Sequence, residues 1–287
     1  MYWCEEIEPY LIDVPQADLD GQTALIGLDG LSGPGRRHGL TGQGGLAGLD
    51  GRGGLAGLDG LAGRLRRAGL QDAARGLPAG YLEELAEYWA CGFDWRKAEA
   101  RLNDYPNYLT RVDGQPLHFV HLRSSNRSAL PLLLVHDRPG TFVQYLDVLH
   151  TLSQDFDVVV PSVPGAGFSA PLSGPWWTTA KVARTFDALM CRLGYRRYHV
   201  EGSGAGAWIS MELKRRAAGH VLGAHFEGMA PVLPPGDSPA DLLAWFALRS
   251  AEWIGHLPSD EDEREQLLTG LTLHSLTARR SPRPAFS

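Results

Sequence analysis

The chain has 287 residues, 44% of them apolar, and a formal net charge of -6. That length buries one large core with room for a small second lobe, and the acidic balance speaks against a nucleic-acid partner. The three cysteines, Cys4, Cys91 and Cys191, are far apart and form no CxxC pair, which suggests neither a disulfide framework nor a cysteine-rich zinc site. The N-terminus, Met1-Tyr2-Trp3-Cys4-Glu5-Glu6, is acidic with no apolar run behind it. No window reaches the roughly 18 apolar residues of a spanning helix. The expectation is a cytoplasmic, reduced protein without membrane contact.

Taken in order, residues 5–20 hold a short apolar piece from Tyr10 to Val14 between Pro9 and Pro15, an edge strand or an extended arm. Glycine is the anomaly, with 35 residues, and the excess is local. Gly-Leu-Ala-Gly-Leu-Asp-Gly stands at 45–51 and again at 54–60, and glycine falls at every third position from Gly39 to Gly63. A collagen-like triple helix has this period, yet no proline follows Pro34 in the stretch. Glycines lose much entropy on ordering and isolated leucines build no core. Residues 21–63 therefore read as a flexible, tandem-duplicated insert.

From Leu61 the pattern becomes helical and basic (LAGRLRRAGL). A turn at Gly76-Leu77-Pro78 precedes Tyr81–Trp89, where Leu82, Leu85, Ala86 and Trp89 share one helical face. Phe93–Asn103 reads as a helix capped by Asp94 and blocked by Pro106. Val112–Arg123 reads as a hairpin around Asp113-Gly114. Strands at Pro131–His136, Phe156–Pro161, Arg197–Glu201 and Val221–Phe226 then alternate with helices at Phe142–Leu152, Thr178–Leu193 and Ala207–Ala218. Gly194 is the expected stop of the second of these helices. Near-continuous apolar strands alternating with helices are the βαβ signature of a parallel sheet covered on both faces. After a Pro/Gly loop at Pro231–Gly236, Asp237-Ser238-Pro239 opens a helix running to about Trp253. Glu261–Leu276 forms another helix, and ARRSPRPAFS reads as a frayed tail.

The chemistry should gather at Gly202-Ser203-Gly204-Ala205-Gly206, between a strand and a helix. A sharp turn there presents a nucleophile or cradles an anion. Ser203 is the nearby nucleophilic side chain, but a serine elbow needs Gly-x-Ser-x-Gly, and Ser203 has Glu201 two residues before it and Ala205 two after it. It reads better as a turn or cap serine. His136 ends a core strand and reads as a structural histidine, while Glu201 and Glu227 end adjacent strands.

Several segments carry a resemblance. EEIEPYLIDVPQADLDG, the run from LAGRLRRAGL to RVDGQPLHFVHLR with its Tyr88-Trp89 and Asp94-Trp95-Arg96 signatures, PLLLVHDRPGTFVQY, VVVPSVPGAGFSAP and MCRLGYRRYHVEG are similar to the microsomal-type epoxide hydrolases. The resemblance covers the chain except residues 21–60. It implies an α/β class: a partial α/β-hydrolase fold behind a helical N-terminal epoxide hydrolase domain. The boundaries are 1–110 for that domain, with its insert at 21–63, and 111–287 for a truncated core lacking most of the lid. The implied reaction turns an epoxide and water into a vicinal diol without metal or organic cofactor. An elbow Asp forms an ester, a His oriented by an acid activates water, lid tyrosines assist, and backbone N–H groups hold the oxyanion.

Carried onto this sequence, the family elbow Gly-Gly-Asp-Trp-Gly falls on residues 202–206, so the nucleophile position is Gly204, which has no side chain. The oxyanion loop His-Gly-Trp-Pro falls on His136-Asp137-Arg138-Pro139, where Asp137 puts a carboxylate beside developing negative charge. DSPADLLAWFALRSAEW resembles the segment after the lid, and few residues stand between Met229 and Asp237 where the lid belongs. His225 and His274 do not hold the position of the catalytic base. The favoured expectation is therefore a degenerate, truncated and inactive family member. A hydrolase with a rearranged site and a non-catalytic binding or scaffold protein are the alternatives. The expected ligand is a small apolar epoxide, and an unpaired sheet edge offers self-association.

Overall fold

The described strands form one seven-stranded sheet. The structure is a computed structural model describing residues 6–25, 77–174, 177–228 and 239–278. The glycine repeat from residue 26, the basic helix at 61–70, the 231–236 loop, the Asp237-Ser238 cap and the C-terminal tail lie outside the described residues. The described residues fall into two units. One contains the sheet and its helices, from residues 6–14, 94–228 and 258–278; the other comes from 15–25, 77–93 and 239–257.

In the sheet unit, β1 (Glu8–Pro9), β2 (Asn107–Val112), β3 (Gln115–Leu122) and β5 (Phe156–Pro161) pair antiparallel in that order. β5, β4 (Leu130–Val135), β6 (Tyr198–Ser203) and β7 (Val221–Glu227) continue in parallel. Val158, Val159 and Val160 are fully buried, as are Leu133 and Val135. Leu133, Val135, Val159 and Val200 join a core with Val182, Phe186 and Leu189 of α5 (Thr179–Arg192) and with Ile209 and Leu213 of α6 (Ala205–Arg216). Leu132 and Leu134 face the opposite way by the two-residue period and are buried as well. Apolar runs buried on both faces are what a parallel array of strands requires.

The β2–β3 turn has positive φ at both Asp113 (51°) and Gly114 (77°), the backbone that an Asp-Gly hairpin turn demands. The hairpin begins at Asn107, earlier than the sequence reading placed it, because Asn107–Val112 alternates poorly. Tyr10–Val14 is an arm and not a strand: the ladder is confined to Glu8–Pro9. Side chains hold the arm, with Asn103 bonding both the N–H and the C=O of Ile12 at 2.9 Å and Glu99 accepting from the Val14 N–H at 2.6 Å. The sequence reading missed α1 (Gln16–Leu25), whose last residues fall inside the stretch expected to be irregular.

α2 (Tyr81–Cys91) buries Leu82, Leu85, Ala86 and Trp89 as its period predicts. It lies in the second unit with α7 (Pro239–Ile254), against which it packs. α3 (Trp95–Asn103) is capped by Asp94, which accepts from the Arg96 N–H at 2.8 Å. A 3-10 turn at Phe142–Tyr145 leads into α4 (Leu146–Leu152), and α8 (Glu261–Ala278) closes the described chain. Gly194, at φ 90°, follows the end of α5.

Candidate functional site at the carboxyl end of strand six

β6 ends at Ser203 and α6 starts at Ala205, so a single residue, Gly204, makes the turn. Its φ of 52° and ψ of -120° are angles that only glycine adopts without strain. The flanking glycines answer a different demand. A Cβ on Gly206 would lie 2.1 Å from the Val135 carbonyl oxygen, and one on Gly202 would lie 2.3 Å from the Gly206 carbonyl oxygen. Strand, helix and the end of β4 therefore meet backbone to backbone. The turn opens at the carboxyl ends of the parallel strands, where α/β sheets place their ligand sites.

β4 leads directly into His136-Asp137-Arg138-Pro139, whose Arg138–Pro139 peptide is cis. One carboxylate oxygen of Asp137, Oδ1, accepts from the backbone N–H of Arg138 and from that of Ala205, both at 2.6 Å. A Cβ built on Gly204 would lie 2.1 Å from Asp137 Cγ. The Asp137 carboxylate thus fills the space that a side chain at 204 would need. It also supplies what Gly204 cannot, a charged acceptor for the first N–H of α6, favoured by the helix dipole.

The other residues read from the sequence are placed as follows. Ser203 is buried, and its Oγ accepts from Gln144 Nε2 at 2.9 Å. Gln144 Oε1 in turn accepts from the Asp137 N–H at 3.3 Å. His136 is fully buried; its Nδ1 donates to the Asp137 carbonyl at 2.7 Å, and its Nε2 accepts from the Val163 N–H at 2.9 Å. Both ring nitrogens are committed to backbone. Burial lowers the His136 pKa to about 4, partly opposed by that carbonyl and aided by the charges of Arg138 and His274. Arg138 Nη1 donates to the Pro164 carbonyl at 3.0 Å. His225 is exposed on β7 as the register neighbour of Glu201. Burial raises the Glu201 pKa, His225 opposes the shift, and Glu227 adds to it. Among the described residues, the trio of His, Cys and carboxylate donors close enough to share an ion is not here but at the opposite end of β6.

The comparisons with known proteins agree with this architecture. Residues 56–145 match the family described as Epoxide hydrolase N terminus. The chain is 35% identical over 164 residues to Epoxide hydrolase 1 of Sus scrofa, which covers 52% of this chain and 36% of the pig protein. A relative from Stigmatella aurantiaca (strain DW4/3-1) is 37% identical over 169 residues, 55% of this chain and 38% of its own. Over these stretches the chain is similar to the epoxide hydrolases. The juvenile hormone epoxide hydrolase of the silkworm Bombyx mori superposes with a TM-score of 0.64 at 22% identity, covering 96% of this chain and 75% of that one. The epoxide hydrolase of Aspergillus niger superposes at 0.62 and 23% identity, covering 96% and 78%. These two likenesses show the α/β-hydrolase fold. The matched stretch spans less than two fifths of the pig and Stigmatella chains.

Within this α/β-hydrolase fold the sequence reading missed two features. Gln144 ties the loop to the elbow; its signal was a lone polar residue in the apolar run Phe142-Val143-Gln144-Tyr145. The second is a buried network beneath the 3-10 turn. Ser162 Oγ donates to His118 Nδ1 at 2.9 Å, and His118 Nε2 donates to Asn107 Oδ1 at 3.0 Å. His118 packs against Tyr10, Phe142 and Phe168. Burial, with the nearby charge of His136, lowers its pKa to about 3. The order Ser–His–Asn is that of a nucleophile, base and orienter, yet His118 and Ser162 have no exposed surface.

Proposed function

We propose that this chain keeps the epoxide hydrolase fold without turning over epoxides. The observation that carries the reading is the elbow: Gly204 offers no nucleophile, and the Asp137 carboxylate lies across the N–H groups of Arg138 and Ala205. Those two donors are where an oxyanion would be held. An anion already bound there opposes the negative charge that hydrolysis develops. The substrate class implied by the family is a small apolar epoxide, taken to a diol. Incubation of the purified chain with aromatic and aliphatic epoxides tests this, with diol formation expected at the uncatalysed rate. Conversion above that rate overturns the proposal.

One observation favours a second reading, a rearranged site. The Asp137 carboxylate stands in the space of a side chain at 204, with Oδ1 fixed by two N–H groups. Its second oxygen would attack an epoxide carbon, the C–O bond would break, and the alkoxide would take a proton from water, leaving an ester on Asp137. Intact-mass measurement after epoxide treatment separates the readings: a single adduct, absent from Asp137→Asn, supports the second. Self-association belongs to the same proposal. Among the described residues β7 pairs with β6 alone, leaving an open edge. A concentration-dependent dimer in sedimentation is its expected sign.

A further inference from the structure

The opposite end of β6 carries a feature unrelated to the epoxide reaction. Asp187 and Cys191 lie four residues apart on α5 and so on one helical face. His220 stands immediately before β7 and is anchored where Tyr198, the first residue of β6, donates its N–H to the His220 carbonyl at 2.9 Å. The imidazole Nδ1 lies 2.8 Å from Asp187 Oδ1 and 3.8 Å from Cys191 Sγ. One donor atom from each residue lies within 4.8 Å of the other two.

We propose that Asp187, Cys191 and His220 form a transition-metal site suited to Zn2+. The alternative use of such a trio is a Cys–His–Asp relay, which needs the two partners on different ring nitrogens. Here the same nitrogen, Nδ1, faces both the thiol and the carboxylate, so the three donors converge on one point. With ordinary zinc bond lengths a tetrahedral ion sets sulfur and nitrogen about 3.5 Å apart, and nitrogen and oxygen about 3.3 Å apart. The observed separations of 3.8 and 2.8 Å lie about half an ångström or less from those values. Thiolate, imidazole and carboxylate together suit zinc better than calcium or magnesium, which prefer oxygen alone.

The surroundings support the assignment. The Tyr198 hydroxyl donates to Asp187 Oδ1 at 2.8 Å, holding the carboxylate as an outer partner orients a ligand. The His220 and Asp187 side chains are 41% and 25% exposed, and Cys191 is exposed, so an ion enters from solvent and keeps a place for water. Partial burial and the charge of Asp187 raise the Cys191 pKa, with Arg196 opposing. A bound cation reverses that balance, and the thiol proton leaves to solvent. Arg196 is the charge that works against the cation.

Titrating the tag-free full chain with Co2+ and then Zn2+ tests the site. One Co2+ per chain should bind with a thiolate-to-metal absorption band, release a proton and be displaced by Zn2+. Cys191→Ser should abolish the band, and His220→Asn should weaken binding at least tenfold. Cys4→Ser/Cys91→Ser should leave both unchanged. Cys191 is exposed, so its variant should melt like the wild type without metal, while the rise in melting temperature produced by Zn2+ should disappear. Absence of the band, or a band that survives Cys191→Ser, overturns the proposal.

Discussion

The elbow at Gly204 and the buried network around His118 each hold a different half of what catalysis requires, in different places. The elbow has the backbone geometry: a sharp turn at the end of a parallel strand and two N–H groups aimed at one point. It lacks a nucleophile of its own. The network has the side chains, Ser162, His118 and Asn107, hydrogen-bonded in the order of a triad, but no surface that a substrate reaches. The contrast teaches that a hydrogen-bonding pattern is not a site. Chemistry requires reactive groups and an accessible void in the same place.

The elbow is the more sensitive of the two regions to substitution. Gly204→Asp places a Cβ 2.1 Å from Asp137 Cγ, at a φ of 52° and beside a like charge. A loss of about 4 kcal/mol or more is expected. Gly204→Asp/Asp137→Gly removes the clash and should recover much of it, giving a coupling above roughly 2 kcal/mol in a denaturation cycle. A stable single variant would mean that Asp137 does not occupy that space.

Acid comes next and acts on both regions. Burial lowers the pKa of His118 to about 3 and that of His136 to about 4. Burial also lowers His121 to about 4, with Arg123 adding to the shift and Asp157 opposing it. The unfolded chain protonates these rings near pH 6.5 while the folded chain refuses the proton. Stability is therefore full above about pH 6.5 and falls as pH drops toward 4, by on the order of 3 kcal/mol per histidine. Melting temperatures across that range measure the slope, and a flat profile contradicts the burial. Ser162→Ala leaves His118 Nδ1 without its donor in the core and should cost roughly 1 to 3 kcal/mol in urea unfolding.

Asp137→Ala removes the acceptor for the Arg138 and Ala205 N–H groups, and about 1 to 2 kcal/mol of stability should go with it. An unchanged urea midpoint would show that water caps α6 equally well. Ser203→Ala loses one hydrogen bond from Gln144, with an expected change of about 1 kcal/mol and no change in labelling by a serine-reactive phosphonate. Labelling of the wild type that vanishes in this variant would make Ser203 a nucleophile after all.

Local sequence determined much of this protein. The Asp113-Gly114 turn, the apolar strands, the cap at Asp94 and the position of the bend at Gly204 follow from residues adjacent in the chain. So does the absence of a side chain at the elbow. Tertiary structure decided what stands in that gap. Asp137 reaches Ala205 across 68 residues of sequence, because parallel pairing sets the ends of β4 and β6 side by side. His118, Ser162 and Asn107, like Asp187, Cys191 and His220, meet through strand register and helix crossovers. No period in the sequence records such meetings: local periodicity says which face a residue takes, and the order of strands says what faces it.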